Sequence, residues 1–436
     1  MAIREPQSRK WGVLALWLLI LVTPLLVFPT AKEAFRLPKL MASGWLALAS
    51  LLFFSWELRK VGTIRLAEVW RRPAVRAVLP MLLVATASLF ATHHPLHVKE
   101  GLADLWIGAA ALVGWSLALE PRRMERLLLG LLVPAALLAL LGILQFHQIY
   151  QPFPFTGIGY DPRLAVTSFA GNPGDLAAYL VLPCLIAQFA IARRTGRTRL
   201  LAAGALVLCM YAVALTQTLA ALVSLAVGSL LLWALLMPPR RAAILFRGGA
   251  AMALVLVLAI APLRERLTAK AGQALAGDWN SVLTGRLDGW RAAALMLREH
   301  PLTGVGHGAY RPEYVPAALA LMDCGQELYP EHIQPVFANA HNEYLEAAAE
   351  WGILGILALV WGLWVLAATL RRTRSEREGG EQALAWAGVA ALAVLSLVYF
   401  PFRTALVAFP AILFLSWVFR RGDKREAEAG AEEVPA

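Results

Sequence analysis

Long runs of apolar residues recur through most of this chain of 436 residues, and short charged segments separate them. Each run is about 20 residues long, which is the length that a helix needs to cross a bilayer. The chain is 59% hydrophobic and only 16% charged. We therefore expect an all-α polytopic integral membrane protein with about twelve transmembrane helices. The predicted spans are 11–29, 38–56, 74–91, 101–119, 126–147, 174–192, 199–215, 219–237, 243–262, 342–369, 383–399 and 403–419.

Basic residues fall on alternate connections between these spans, as in "ARRTGRTR" and "PPRRAAILFR". Because Lys and Arg are enriched in cytoplasmic loops, this alternation predicts that both termini are cytoplasmic. The net charge of +11 then mainly orients the chain and attracts anionic lipid. Nucleic acid is not an expected partner.

One connection is much longer than the others. Residues 263–341, here called the outer segment, follow nine spans in residues 1–262 and precede three spans in residues 342–419. They are predicted to form a large periplasmic loop with amphipathic helices. In "GRLDGWRAAALMLREHP" the predicted apolar stripe is Leu287, Trp290, Ala294 and Leu297. Residues 420–436 are charged and rich in Ala, which favours a disordered cytoplasmic tail.

A transporter of two six-helix halves is the obvious alternative. Such a protein would carry a long cytoplasmic linker between its sixth and seventh spans and ionisable groups at mid-membrane depth. Here that linker is short, and the polar groups gather at the outer surface. This arrangement favours a reaction on a lipid-anchored substrate.

The stretch "FANAHNEYLEAAAEWGILG" (337–355) places polar residues at the start of the tenth span. We expect Asn339 to cap the helix and His341 to lie in its first turn, near Asn342, Glu343 and Glu346. The positive end of the helix dipole favours a neutral imidazole, which can act as a general base. Glu343 or Glu346 could orient it. Alternatively, His341 and Asn342 only satisfy backbone groups at the interface.

Three arginines are candidates for binding phosphate: Arg163, Arg286 and Arg291. A guanidinium binds two phosphate oxygens at once and stays charged. The glycines of "EHPLTGVGHGAY" (299–310) resemble a phosphate loop, but without a preceding strand a simple turn is favoured. The histidines of the outer segment show no close ligand spacing, so no metal is expected.

Three stretches in this order resemble the O-antigen ligase and O-antigen polymerase superfamily, which includes bacterial protein-O-oligosaccharyltransferases. They are "RLAVTSFAGNPGDLAAYL", "RLDGWRAAALMLREHPLTGVGHGAY" and "AHNEYLEAAAEWGILGIL". The resemblance implies transfer of a glycan from undecaprenyl diphosphate to an acceptor such as lipid A-core oligosaccharide. The reaction would take place at the periplasmic face of the bacterial inner membrane, without a metal or nucleotide cofactor.

The resemblance also implies that His341 is the essential histidine and that Arg286 and Arg163 lie near the donor diphosphate. Arg291 and Trp290 would support them. Many members carry an arginine after a serine in the turn between the seventh and eighth spans, where this chain has Thr218 and Leu219. Two alternatives remain: a polymerase that uses a second lipid-linked repeat unit as acceptor, and an exporter of lipid-linked glycan.

Overall fold

The computed structural model describes most of the chain. The described residues are 7–31, 33–60, 66–153, 163–241, 243–244, 247–249, 258–259, 261–329, 337–372 and 379–432. Within them the regular structure is entirely helical, as the sequence predicts.

The helices are α1 (Gln7–Leu21), α2 (Leu37–Lys60), α3 (Leu66–Arg71), α4 (Pro73–Ala87), α5 (Pro95–Ala118), α6 (Pro121–Gly130), α7 (Leu132–Phe146), α8 (Pro173–Arg193), α9 (Gly196–Thr216), α10 (Leu219–Leu236), α11 (Ala261–Leu275), α12 (Trp279–Val282), α13 (Arg286–Glu299), α14 (Tyr310–Asp323), α15 (Glu343–Arg372), α16 (Gly379–Leu395) and α17 (Ala405–Glu432).

Nine helical stretches in the described ranges are long and apolar enough to cross a membrane. They are Leu37–Trp56, Pro73–Phe90, Pro95–Ala118, Pro121–Phe146, Pro173–Arg193, Gly196–Thr216, Leu219–Leu236, Glu343–Arg372 and Ala405–Gly422. Two shorter apolar stretches, Lys10–Leu25 and Gly380–Leu395, correspond to the first and eleventh predicted spans. The ninth predicted span, 243–262, lies largely outside the described residues.

Helix α8 lies at the centre of the bundle and is buried along almost its whole length. A helix that is apolar on every side is stable only where neighbours or lipid surround it. Helices α9, α10 and α16 pack against α8, and α17 contacts it from another side. The last helix, α17, extends to Glu432 and so includes much of the expected tail, whose Ala, Glu, Lys and Arg have high helix propensities.

The outer segment packs onto the bundle instead of only resting on a membrane surface. Its residues Ala293, Met296 and Tyr310 share a buried cluster with Val98 of α5 and Trp351 of α15. The outer ends of the bundle helices therefore form the platform on which the site is built.

Helix α13 packs onto the bundle through a face other than its predicted apolar stripe. The helix buries Asp288, Gly289, Ala292, Ala293 and Met296, on nearly the opposite side from Leu287, Trp290, Ala294 and Leu297. Small residues allow close approach: a Cβ on Gly289 would lie 3.4 Å from the carbonyl oxygen of Ala340. Buried Asp288 is satisfied because Asn280 Nδ2 donates to it at 2.9 Å and the backbone N–H of Tyr329 at 2.7 Å. The predicted stripe remains partly exposed on the other face.

Helix α15 is broken at Gly352, which has φ +63°. Residues 299–310 of the outer segment, here called the glycine turn, and the backbone around this break form hydrogen bonds with each other. Val305 N donates to Ala349 O at 3.0 Å, Gly306 N to Glu350 O at 2.9 Å, and Ile353 N to Pro301 O at 2.8 Å. Irregular backbone at membrane depth needs such partners, since lipid offers none. The glycine turn is thus a docking element for α15.

We expect the outer segment to be extracytoplasmic, because the alternating basic connections orient the chain. The test places single cysteines at the exposed positions Ala276 and Thr195 in a protein lacking Cys184, Cys209 and Cys324. Ala276→Cys should react with a membrane-impermeant maleimide in intact spheroplasts, and Thr195→Cys only after lysis. The reverse pattern would show that the orientation is inverted.

Candidate functional site

The segment that carries His341 differs from the sequence prediction in where helix α15 begins. Helix α15 begins at Glu343, and its cap is Asn342, whose Oδ1 accepts from Tyr344 N and Leu345 N at 3.0 Å each. The predicted cap, Asn339, and the predicted first-turn position of His341 are therefore wrong. His341 precedes the cap in a left-handed backbone conformation, with φ +54°. This conformation is uncommon for a residue with a side chain and recurs at functional sites.

Aromatic rings hold His341 in place. Its imidazole meets Phe337 edge to face with ring centroids 5.7 Å apart, and Phe400 with centroids 4.8 Å apart. Phe400 in turn stacks on Tyr399 with centroids 4.6 Å apart. The imidazole is thus fixed between two segments that flank the outer ends of α15 and α16.

Glu346 fixes the backbone that leads into His341. One of its carboxylate oxygens accepts from Asn339 Nδ2 at 2.9 Å, and the other from Ala340 N at 2.8 Å. Glu346 is fully buried. It therefore acts on His341 through the preceding backbone.

Arg403 is the centre of a buried acidic network. Its guanidinium lies 3.4 Å from Glu343, 3.0 Å from Glu346 and 2.7 Å from Glu350. The three carboxylates, at positions i, i+3 and i+7 of α15, share one face of the helix. They raise the pKa of Arg403 well above its usual value although burial opposes the charge. Arg403 thus neutralises part of the negative charge on the first two turns of α15.

His307 completes this network from the glycine turn. Its Nδ1 lies 3.0 Å from Glu350 Oε2 and 3.1 Å from Trp351 Nε1. Because Glu350 Oε2 also accepts from Arg403 Nη2 at 2.7 Å, it is an acceptor, so His307 Nδ1 carries the hydrogen and donates it to this carboxylate. The Trp351 N–H cannot donate to the same nitrogen at that time. Nε2 of His307 is then an acceptor.

A group of cations lies where the α9–α10 turn, α11 and the start of α13 meet. Burial is the largest cause that lowers the pKa of Lys270, followed by the charges of Arg266, Arg286 and Arg163, whereas Asp278 raises it. Two arginines proposed from separate parts of the sequence therefore share one electrostatic environment. Arg163 Nε also donates to Thr216 O at 3.1 Å, at the turn between α9 and α10.

Arg286 connects the cations to the His341 segment. Burial and the neighbouring Arg266 lower its pKa, whereas Tyr399, which stacks on Phe400 beside His341, has the opposite effect. One turn further along α13, Gly289 packs against Ala340. The Nε of Arg286 is buried and donates to no partner among the described residues.

The remaining predicted residues lie at the edge of this arrangement. Arg291 is partly exposed and lies 3.8 Å from the Asp288 carboxylate on the same helix. The indole nitrogen of Trp290 is buried without a hydrogen-bond partner in the described structure. These observations do not test the supporting role predicted for Arg291 and Trp290, which stays a prediction.

Strained turns bring these groups together. Besides His341, Gln217 in the α9–α10 turn has φ +51° and Thr284 before Arg286 has φ +57°. Gln217 follows Thr216, whose carbonyl accepts from Arg163, and Thr284 lies two residues before Arg286. Such conformations persist where the surrounding structure overdetermines them.

A cavity of about 700 Å³ borders the acidic network. Apolar side chains of α2, α4, α5, α15, α16 and α17 form most of its wall, and the polar residues that line it include Arg36, Asp104, His307, Asn339, Glu343 and Arg403. In the described ranges, no three His, Cys, Asp or Glu side chains converge as a metal site would require.

Arg403 and His307 were missing from the predicted site. The signal for Arg403 was the spacing of Glu343, Glu346 and Glu350 on an otherwise apolar helix. Three carboxylates on one buried face require a cation, and ionisable groups in such helices are seldom without a function. The only information lacking was which distant arginine would meet them.

Residues 204–360 match the family described as O-antigen ligase. This range includes the α9–α10 turn, α11 to α14, His341 and the three glutamates, and it confirms the resemblance to the O-antigen ligase and polymerase superfamily. No curated protein matches the chain.

We expect Arg403→Gln to destabilise the fold by about 3–5 kcal/mol, because it leaves buried carboxylates without their cation. Arg403→Lys should be less severe, since it keeps the charge but loses the planar fork. Thermal unfolding in detergent measures both, with Arg311→Gln, an exposed arginine of α14, as the control. Equal unfolding temperatures for Arg403→Gln and the control would contradict the assigned network.

Proposed function

We propose that this protein is an O-antigen ligase-type glycosyltransferase, because residues 204–360 match the family described as O-antigen ligase. It transfers a glycan from undecaprenyl diphosphate to lipid A-core oligosaccharide at the periplasmic face of the inner membrane. The observation that carries the proposal is the convergence of Arg163 and Arg286 beside the segment that positions His341.

In the proposed reaction, an acceptor hydroxyl attacks the anomeric carbon of the donor sugar. Its oxygen forms the new glycosidic bond while the bond from that carbon to the diphosphate oxygen breaks, and the configuration inverts. His341 takes the hydroxyl proton, and the carrier leaves as the diphosphate. Arginines aimed at the leaving group stabilise the transition state more than the ground state, because charge develops there as the bond breaks.

The cavity supports a lipid substrate. Its long apolar wall suits a hydrocarbon chain, and its polar lining includes Glu343 and Arg403 of the acidic network. We assign the hydrocarbon part of a lipid substrate to this space. The head group would then lie at the level of the outer segment.

We expect His341→Ala to lower the rate of glycan transfer by about two to four orders of magnitude, the usual contribution of a general base. The assay uses purified protein with a lipid-linked glycan donor and lipid A-core acceptor. His300→Ala, another histidine of the outer segment, is the matched control, and thermal unfolding checks that both variants fold. Near wild-type transfer by His341→Ala would assign the histidine a structural role only.

The products of the same assay distinguish the alternatives. Glycan on lipid A-core supports the ligase, whereas longer lipid-linked chains formed from donor alone indicate a polymerase. Movement of the donor across a vesicle membrane without a new glycosidic bond would indicate an exporter and would refute the proposed reaction.

We expect Arg286→Ala to lower turnover by about two orders of magnitude and to weaken donor binding much less. Arg286→Lys should also be impaired, because lysine keeps the charge but cannot bind two oxygens in a planar fork. Arg298→Ala, at an exposed position of the same helix, is the control. If Arg286→Lys turns over like wild type, charge alone is sufficient at this position.

A further inference from the structure

Helix α11 presents a stripe of four residues with a mixed character. Leu263, Arg266, Leu267 and Lys270 follow one another at i, i+3, i+4 and i+7, which places them on one face of the helix. Leu263 is buried against Ala214 and Leu215 at the end of α9, and Leu267 packs on the same cluster. The two leucines thus fix Arg266 and Lys270 beside the α9–α10 turn.

Arg266 and Lys270 lie between Arg163 and Arg286. On one side, Arg163 donates to Thr216 O of the α9–α10 turn. On the other side, Lys270 Nζ donates to Ser281 O and lies 3.3 Å from Thr284 Oγ1, two residues before Arg286. Helix α11 therefore bridges the two predicted phosphate-binding arginines. The turn itself, Thr216, Gln217 and Thr218, supplies no basic side chain.

Four cations brought together from three segments repel one another. Burial lowers the pKa of Lys270, and the positive charges of the three arginines lower it further. A multiply charged anion would offset this repulsion, and a diphosphate offers several oxygens to several donors at once. An uncharged or singly charged group would offset less of it.

We propose that Arg266 and Lys270 of α11 are further diphosphate-binding residues, which complete the donor site with Arg163 and Arg286. This inference rests on the proposed function. It assigns recognition of the carrier diphosphate to a surface helix that enters the site only because its leucines dock on α9. Arg264, on the exposed side of the same helix, has no part in it.

The test measures binding of undecaprenyl diphosphate to the full-length protein in nanodiscs. Arg266→Gln and Lys270→Gln should each raise Kd about tenfold, the effect of one charged hydrogen bond. Arg264→Gln should bind as wild type does. Undecaprenyl monophosphate should bind more weakly to wild type and respond less to either substitution, because it offers fewer charges.

A second measurement needs no variant of the site. Undecaprenyl diphosphate should protect Lys270 of wild-type protein from amine acylation, read by mass spectrometry, and should leave the exposed Lys99 reactive. If wild type binds the diphosphate lipid but both glutamine variants bind equally well and Lys270 is not protected, this inference is wrong and the proposed function stands. If wild type does not bind the lipid, the proposed function fails with it.

Discussion

The outer end of this bundle depends on the pairing of Arg403 with three carboxylates of α15, of which Glu346 and Glu350 are fully buried. Charged groups removed from water are stable only with close partners of opposite charge, and here one guanidinium lies within 3.4 Å of all three. Through Glu346 the network holds the backbone before His341, and through Glu350 it holds His307 of the glycine turn. The position of His341, the candidate base, thus depends on the pairing of Arg403 with the carboxylates of α15.

The candidate site combines a group of carboxylates with a group of cations. Carboxylates of α15 surround Arg403, and cations of α11, α13 and the loop before α8 lie close to one another. In the proposed reaction a proton moves to the imidazole while negative charge moves to the diphosphate. Acidic groups near the first event and basic groups near the second favour both, and the aromatic pair Tyr399 and Phe400 lies beside the imidazole.

Much of the fold could be predicted from the sequence, because membrane spans depend on local hydropathy. Arg163, Arg286 and His341 could also be proposed, but their common location could not, since it depends on how helices dock. The face of α13 that packs onto the bundle could not be predicted, because small residues and a paired aspartate, Asp288, are buried there in place of larger apolar ones. Arg403 escaped notice because its role depends on contacts across 53 positions of the chain with Glu350.

The break at Gly352 divides α15 into two mechanical parts. The half that carries the glutamates is bonded to the glycine turn, whereas the other half continues into the membrane. Because hydrogen bonds to the glycine turn hold the break in place, the two halves can point in different directions. The direction of the half within the bundle is therefore set separately from that of the half that carries the glutamates.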